Sequence, residues 1–353
     1  MKILFVDKVM TRACGEPPRG VELFNVNLLR ELSRAGVQVT ALLHASWIPY
    51  LGDAPLQILP ADRTDERELR GLRLLQLARA DVYDLLLLGN VANRLVALVL
   101  ALRAMRICRN CVLIAHREPS RRTLWAQKVW PDTGVVAVND KIAGHFLRSG
   151  FRRTSVYYGV TNADRFLMDR AVPARSSVAF CVAGNLDNAW KGADTAVAAF
   201  RLLPAAVRAR CELHLASFHT QPQYPEPNII PHGWMPADAM PAFFQSMDVM
   251  IVPSRDEEVM RETFSQVMVQ GMLSGLPIIT TSLPILSEKL DMGGGIVTGS
   301  VEEMAQAMER LACDGKERQD MGQQARETAR SRYVWDTGYF VRTYLEPACR
   351  AVR

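Results

Sequence analysis

Three glycine-bearing junctions between an apolar run and an amphipathic one carry residue types that can hold a phosphate or a sugar. In the first, Asp7 to Glu22, Gly15 and Gly20 precede a helical pattern. Glycines let backbone approach a ligand closely, and a helix's free N–H groups attract anions. The spacing is not G-x-G-x-x-G, so no dinucleotide fingerprint is present. In the second, GNLDNAWKG (184–192), an apolar run ends at Gly184 and Lys191 stands at the mouth of the next helical pattern. A lysine there neutralises a pyrophosphate as a compact point charge, or is simply a surface lysine in a loop. The third is RDEEVMRETFSQVMVQGMLSGLPII (255–279). Glu262 lies just before a helical run and Gln270 follows at the eighth position, so both fall near one helical face about two turns apart. That suits contacts to two hydroxyl-rich rings, with backbone N–H groups around Ser265 between them. It equally suits a capped amphipathic helix with an acidic first turn. A lone His116 closes the apolar run CVLIAH (111–116), and lone histidines are more often structural than functional.

The elements that must position these residues alternate between β-type apolar runs and helical periods, the pattern of βαβ units and parallel sheets. Strands are expected at 2–7, 37–44, 56–61, 84–89, 111–116, 135–139 and 155–159. Helices are expected over 21–35, 69–80, 93–106 and 141–149. A linker-like composition shift follows at 169–177, and the pattern restarts with strands at 178–185, 211–217, 228–234, 248–254, 277–282 and 294–299. The helices expected with them span 192–203, 237–247, 264–274, 301–313 and 317–332. The expected fold is α/β with two Rossmann-like, doubly wound domains facing a cleft. The boundaries are 1–168 for an N-terminal domain, 169–335 for a C-terminal domain, and 336–353 for a helix packing back on the first. Open parallel sheets bind ligands beyond the carboxyl ends of their strands, where all three junctions lie.

At 353 residues, 49% hydrophobic and 22% charged, the chain can bury two cores and leaves little that reads as disordered. Met1-Lys2 runs straight into an apolar strand, which argues against a signal peptide. The stretch 91–107 is interrupted by Asn93, Arg94, Arg103 and Arg106, and a spanning helix needs about 20 apolar residues. A cytoplasmic protein is expected. Its seven scattered cysteines fit reduced thiols. Cys108 and Cys111 form C-x-x-C without a second pair at zinc spacing, and read as small apolar fillers at a helix–strand junction. Residues 1–170 hold 25 Lys+Arg against 16 Asp+Glu, a balance of +9, while the remainder holds 17 against 21. The basic half suits an anionic acceptor, a phosphate or an acidic membrane surface, or is an ordinary solvated face. The segment REPSRRTLWAQKVW (117–130), with Arg121, Arg122, Lys128, Trp125 and Trp130, is where peripheral membrane contact would occur; packing of its tryptophans on the domain is the competing reading. Nucleic acid is not an expected partner, because no recognition signature accompanies the charge.

The order strand, G-x-L, K-G-x-D, helix, followed by D-V-x-x-x-P-S, E-x-F and Q-G-M-x-x-G-x-P-I-I, resembles the retaining GT-B glycosyltransferases of the group 1, family 4 type, which carry an E-x7-E motif. The likeness covers almost the whole chain and is most specific from Asp248 to Ile279. It implies that Gly20 lies near the donor phosphates and that Gly184, Asn185 and Lys191 form the diphosphate loop. Glu262 is then expected at the sugar hydroxyls. Thr263, Phe264 and Ser265 line sugar and phosphate through backbone groups, Gln270 takes the ribose, and His116 stands beside the transferred sugar. Two positions depart from the family pattern. Asn185 replaces an arginine, removing a bidentate phosphate contact that Arg255 or Arg261 would have to supply, and Gln270 replaces the second glutamate.

The function this implies is transfer of a hexose-type sugar from a nucleotide-diphosphate sugar to an acceptor hydroxyl with retention of anomeric configuration, in cell-envelope polysaccharide or glycolipid synthesis or in natural-product glycosylation. The acceptor class stays open among a glycan, a lipid-linked saccharide and a small aglycone. No cofactor or obligatory metal is expected, since no D-x-D motif is present. A non-catalytic sugar-nucleotide-binding subunit and a nucleotide-sugar epimerase are the alternatives.

Overall fold

KILFVD forms the first strand, β1 (Lys2–Asp7), and everything after Lys2 in it is buried. A strand apolar on both faces must sit inside a sheet covered on both sides. It does, between β2 (Gln38–Leu43) and β4 (Tyr83–Asn90), with parallel pairing to each. With β3 (Gln57–Pro60), β5 (Cys108–Ala115), β6 (Gly134–Ala137) and β7 (Thr154–Val156), they form an all-parallel sheet of order β3-β2-β1-β4-β5-β6-β7. A second sheet holds β8 (Val178–Ala183), β9 (Cys211–Phe218), β10 (Ile229–Gly233), β11 (Val249–Val252), β12 (Ile278–Thr281) and β13 (Gly295–Thr298). Its order is β10-β9-β8-β11-β12-β13, again parallel throughout. Both orders reverse direction beside their first strand, at β1/β4 and at β8/β11, which is the doubly wound pattern.

This computed structural model describes residues 1–14, 18, 20–60, 81–90, 95–121, 124, 130, 132–167, 177–255 and 262–350. Gly15, the helix expected over 69–80, Arg122, Trp125, Lys128, Arg261 and nearly all of the expected linker lie outside the described residues. Two compact units result, one of Met1–Thr161 with Trp335–Arg353 and one of Asn162–Val334.

In the first unit, helix Gly20–Arg34 lays Phe24, Leu28, Leu29 and Leu32 on the sheet. The C-terminal segment completes this core, as expected. Trp335 meets Phe24 edge-on at 5.2 Å and Tyr157 at 4.7 Å, while its backbone N–H donates to the Val160 carbonyl at 3.2 Å. Phe340 beneath it is fully buried, and burial of such a ring contributes about 2–3 kcal/mol. In the second unit, helices Ala193–Arg201 and Val301–Cys313 bury Phe200, Met304, Met308 and Leu311 against β8, β9 and β11.

Two local expectations need correction. β5 begins at Cys108 rather than Cys111, so the C-x-x-C lies within a strand and not at a junction. Both thiols are free and buried, and burial raises both pKa values, that of Cys108 to about 12. They are fillers of a strand surface. The helix expected from 264 starts only at Gln266, because Ser265 in front of it has left-handed backbone. Glu262 therefore lies ahead of the helix and shares no helical face with Gln270. Among the described residues, no helix is long and apolar enough to cross a membrane.

Candidate functional site

The second unit gathers its polar residues where the strand order reverses, beyond the carboxyl ends of β8 and β11. β8 leads into Gly184 (φ 134°), a backbone that L side chains rarely adopt. A single 3-10 turn, Ala189–Lys191, follows and ends at Gly192 (φ 73°). A Cβ on Gly192 would lie 2.0 Å from the Pro253 carbonyl oxygen. The loop after β8 is thus pressed on the segment after β11, and the Arg255 N–H donates to the Trp190 carbonyl at 2.8 Å.

That contact delivers Lys191 to Glu262. Nζ lies 2.5 Å from Glu262 Oε2, and the two side chains are only 14% and 10% exposed. The other carboxylate oxygen, Oε1, accepts the Ser265 N–H at 3.0 Å, at the start of helix Gln266–Leu273. Glu262 thus joins a cation from one loop to a helix N-terminus from the other. A carboxylate so placed is held by opposite charge and by the positive end of the helix dipole. Lys191 Nζ also sits 4.5 Å from the centre of the Trp190 ring.

Beneath this turn lies Lys289, a residue that no local motif singles out. Lys289 is 3% exposed, its ammonium lying 4.9 Å from the Phe264 ring centre and 5.6 Å from that of Tyr333, and it donates to the Ile285 carbonyl at 2.6 Å. Burial lowers its pKa to about 8, with Glu262 and Glu288 acting the other way. The rings of Phe264 and Tyr333 pack against the lysine and hold it inward.

The residues expected to act together divide as follows. Lys191, Glu262 and Ser265 are in direct contact, Phe264 is buried beside them, and Thr263 is half-buried in the same turn. Gln270 is half-buried within the helix, one turn ahead of its end. Asn185 is half-buried and its carbonyl accepts the Asn188 side-chain amide at 3.3 Å. Arg255, expected to compensate for Asn185, uses its Nη2 on the Ala189 carbonyl at 2.7 Å and on Asp194 at 2.9 Å. It braces the loop. Among the described residues, no group of three His, Cys, Asp or Glu is placed to hold a metal ion.

Gly20 and His116 belong to the first unit. Gly20 (φ 43°) opens helix Gly20–Arg34, is exposed, and has nothing within 4 Å of where a Cβ would stand. His116 follows β5, is 5% exposed, and meets Phe24 edge-on at 5.1 Å. Its Nε2 has no hydrogen-bond partner. Burial, helped by Arg117, lowers its pKa to about 4, so the ring is neutral at pH 7. At the β1/β4 reversal, Asp7 accepts from the N–H groups of Val9 (2.7 Å) and Met10 (3.1 Å) and from the Asn25 amide (3.1 Å). Burial raises its pKa to about 6 against those bonds.

Residues 177–314 match the family model described as glycosyl transferases group 1. That stretch contains Gly184, Asn185, Lys191, Glu262, Ser265, Gln270 and Lys289. The match shows similarity to group 1 glycosyl transferases over that stretch. No curated protein matches the chain. Among solved structures, the glycosyltransferase from Rickettsia africae ESF-5 is 13% identical with a TM-score of 0.74, covering 99% of this chain and 97% of that one. Anabaena Alr3699/HepE in complex with UDP-glucose is 18% identical with a TM-score of 0.71, covering 98% and 99%. Sucrose-phosphate synthase from Thermosynechococcus elongatus is 16% identical at 0.64, covering 95% of each chain. At these identities the likeness shows the fold, two Rossmann-like α/β domains of the GT-B kind. The matched stretch carries the Lys191–Glu262 pair at its own sheet's reversal point.

Proposed function

We propose that this chain transfers a hexose-type sugar from a nucleoside-diphosphate sugar to an acceptor hydroxyl with retention of configuration, as an enzyme without a resident cofactor or obligatory metal. The observation that carries the reading is the Lys191–Glu262–Ser265 contact, set at the β8/β11 reversal within the matched stretch. A nearly buried lysine beside a helix N-terminus is suited to a diphosphate, and a carboxylate one contact away is suited to sugar hydroxyls. Structures of similar fold in complex with UDP and with UDP-glucose support the donor class.

In this reading Lys191 and the helix N-terminus stabilise the charge that grows on the departing diphosphate. The bond between the anomeric carbon and the phosphate oxygen breaks, and the acceptor oxygen bonds to that carbon on the same face. The acceptor's proton passes to the departing phosphate oxygen. Glu262 orients the sugar by accepting from its hydroxyls. Gln270 serves the ribose, its amide accepting one hydroxyl hydrogen bond and donating another. The resemblance alone assigns Gly20 to the phosphates and His116 to the sugar; a neutral imidazole with an unpartnered Nε2 is fit for that role. The acceptor belongs to a cell-envelope saccharide, a glycolipid or a small aglycone, with action at the cytoplasmic face of a membrane for the lipid-linked case.

A thermal-shift screen against UDP, GDP, ADP and TDP and their hexoses tests the donor class, because a bound ligand stabilises the native state by mass action. One nucleotide series is expected to raise the melting temperature, and Lys191→Ala to abolish the shift. No shift with any of them overturns the reading. Retention is then read from the anomeric configuration of the product by NMR.

A further inference from the structure

The outer edge of the second sheet carries a row of titratable side chains that the proposed reaction does not use. His214 on β9 has both ring nitrogens engaged, Nε2 with Glu212 Oε2 at 3.2 Å and Nδ1 with Nε2 of His232 on β10 at 3.0 Å. The two rings are stacked with centres 5.3 Å apart, and Phe243 meets His232 edge-on at 5.5 Å. The other Glu212 oxygen accepts the Ser177 hydroxyl at 3.2 Å. Elements packed on these strands add further titratable groups. β8 brings the free thiol of Cys181, in register with His214, and the approach to β11 brings Asp248, which accepts the Ala179 N–H at 2.9 Å. Ahead of helix Met240–Gln245, Asp238 is paired with Arg165.

A carboxylate only accepts, so His214 Nε2 carries a hydrogen. The contact between the rings then needs one hydrogen, carried by either facing nitrogen. A neutral pair supplies it when His232 Nε2–H donates to His214 Nδ1. One added proton leaves the bond intact, because a cationic His214, held beside Glu212, donates to His232 instead. A second proton puts a hydrogen on both facing nitrogens and sets two like charges against each other, and the bond is lost. Burial and the neighbouring His214 both lower the pKa of His232, so its proton is the late one.

This bond lies where the ladder between β9 and β10 is interrupted. Pro231 has no N–H to give, and between Pro231 and Gly233 the register slips, two steps along β10 matching three along β9. Ser217, inside that slip, has left-handed backbone (φ 80°). Among the described residues β10 is the edge strand, paired with β9 alone. Beyond it, Trp234 stacks on His219 at 4.8 Å, and the His219 N–H is held by Asp187 of the loop after β8 at 3.0 Å. We infer that Glu212, His214 and His232 form a proton-operated latch, which fastens the carboxyl end of β10 while the two rings share one hydrogen and releases it in acid. Release loosens the wall beside the Gly184–Gly192 loop.

Hydrogen exchange of the free protein tests the latch, read by mass spectrometry between pH 7.5 and 4.5 and corrected for the intrinsic rate. Peptides covering 229–236 are expected to lose about fivefold to tenfold protection in acid, the effect of one lost hydrogen bond, and more than peptides covering β12. His232→Gln keeps an amide donor without a titrating ring and is expected to remove that excess. Glu212→Gln withdraws the charge that favours the first proton, so release is expected to move to lower pH. Parallel loss of protection in 229–236 and β12 overturns the inference. So does undiminished acid sensitivity in His232→Gln, since the loosening then comes from another group, and so does an unmoved release in Glu212→Gln. Exchange reads the latch without any ligand, so its failure leaves the donor reading standing.

Discussion

Gly192 and the Pro253 carbonyl are so close that a Cβ on the glycine would stand 2.0 Å from the oxygen. The contact fixes the distance between the loop after β8 and the loop after β11, and with it the approach of Lys191 to Glu262. Backbone cannot yield as a flexible side chain does, and φ at Gly192 is 73°. Gly192→Ala is therefore expected to cost about 3 kcal/mol or more, combining left-handed strain with overpacking. Urea denaturation measures the loss, and an unchanged midpoint would contradict the contact.

The Lys191–Glu262 pair is sufficiently buried that removing one partner leaves an uncompensated charge. Lys191→Ala is expected to destabilise the fold by about 3 kcal/mol, and Lys191→Ala with Glu262→Gln by less than the sum of the single changes. A double-mutant cycle in denaturant reads the coupling. Additive effects would show that the two side chains do not depend on each other.

His116 and Asp7 pull the acid stability of the first unit in opposite directions. The folded pKa of His116 is depressed from 6.5 to about 4, so the unfolded chain binds the extra proton and stability is lost as pH falls through that window. The difference corresponds to about 3 kcal/mol. Asp7 is raised from 3.8 to about 6, so the folded chain binds the extra proton and stability is gained as pH falls from 6 toward 4. His116→Gln is expected to flatten or invert the pH dependence between 4 and 6.5, and Asp7→Asn to steepen it. Denaturation at pH 4.5 and pH 7 distinguishes the two; parallel slopes in both variants would refute the assignments.

Lys289 lies under the Glu262–Phe264 turn with a pKa lowered from 10.5 to about 8. Below pH 8 the fold holds a buried ammonium, and that penalty fades as pH rises from 8 to 10.5, where the unfolded chain keeps the proton. Lys289→Met is therefore expected to gain stability at pH 7 relative to the wild type and to lose that advantage by pH 10. Because the ammonium also faces Phe264, donor affinity is expected to fall while stability rises. A variant less stable at pH 7 would mean that the ring contacts outweigh the desolvation.

The architecture was legible from local pattern. Strands apolar on both faces, such as 2–7 and 249–252, and amphipathic helices such as 301–313 carry their periodicity in sequence, because burial on one or both sides dictates which residue types recur. The loop at Gly184–Gly192 and the turn at Glu262 were visible for the same reason, since glycine and charge at strand ends are local signals. What the sequence could not show is everything set by strand order. Only pairing of β8 with β11, residues far apart in the chain, puts Lys191 against Glu262. Only tertiary packing sets Lys289 inward against Phe264 and Tyr333, and only the turn after Glu262 forces Ser265 into left-handed backbone with an orphaned hydroxyl. A residue's type and spacing determine the element it joins. Its charge state, its strain and its partners depend on which distant segment the sheet brings beside it.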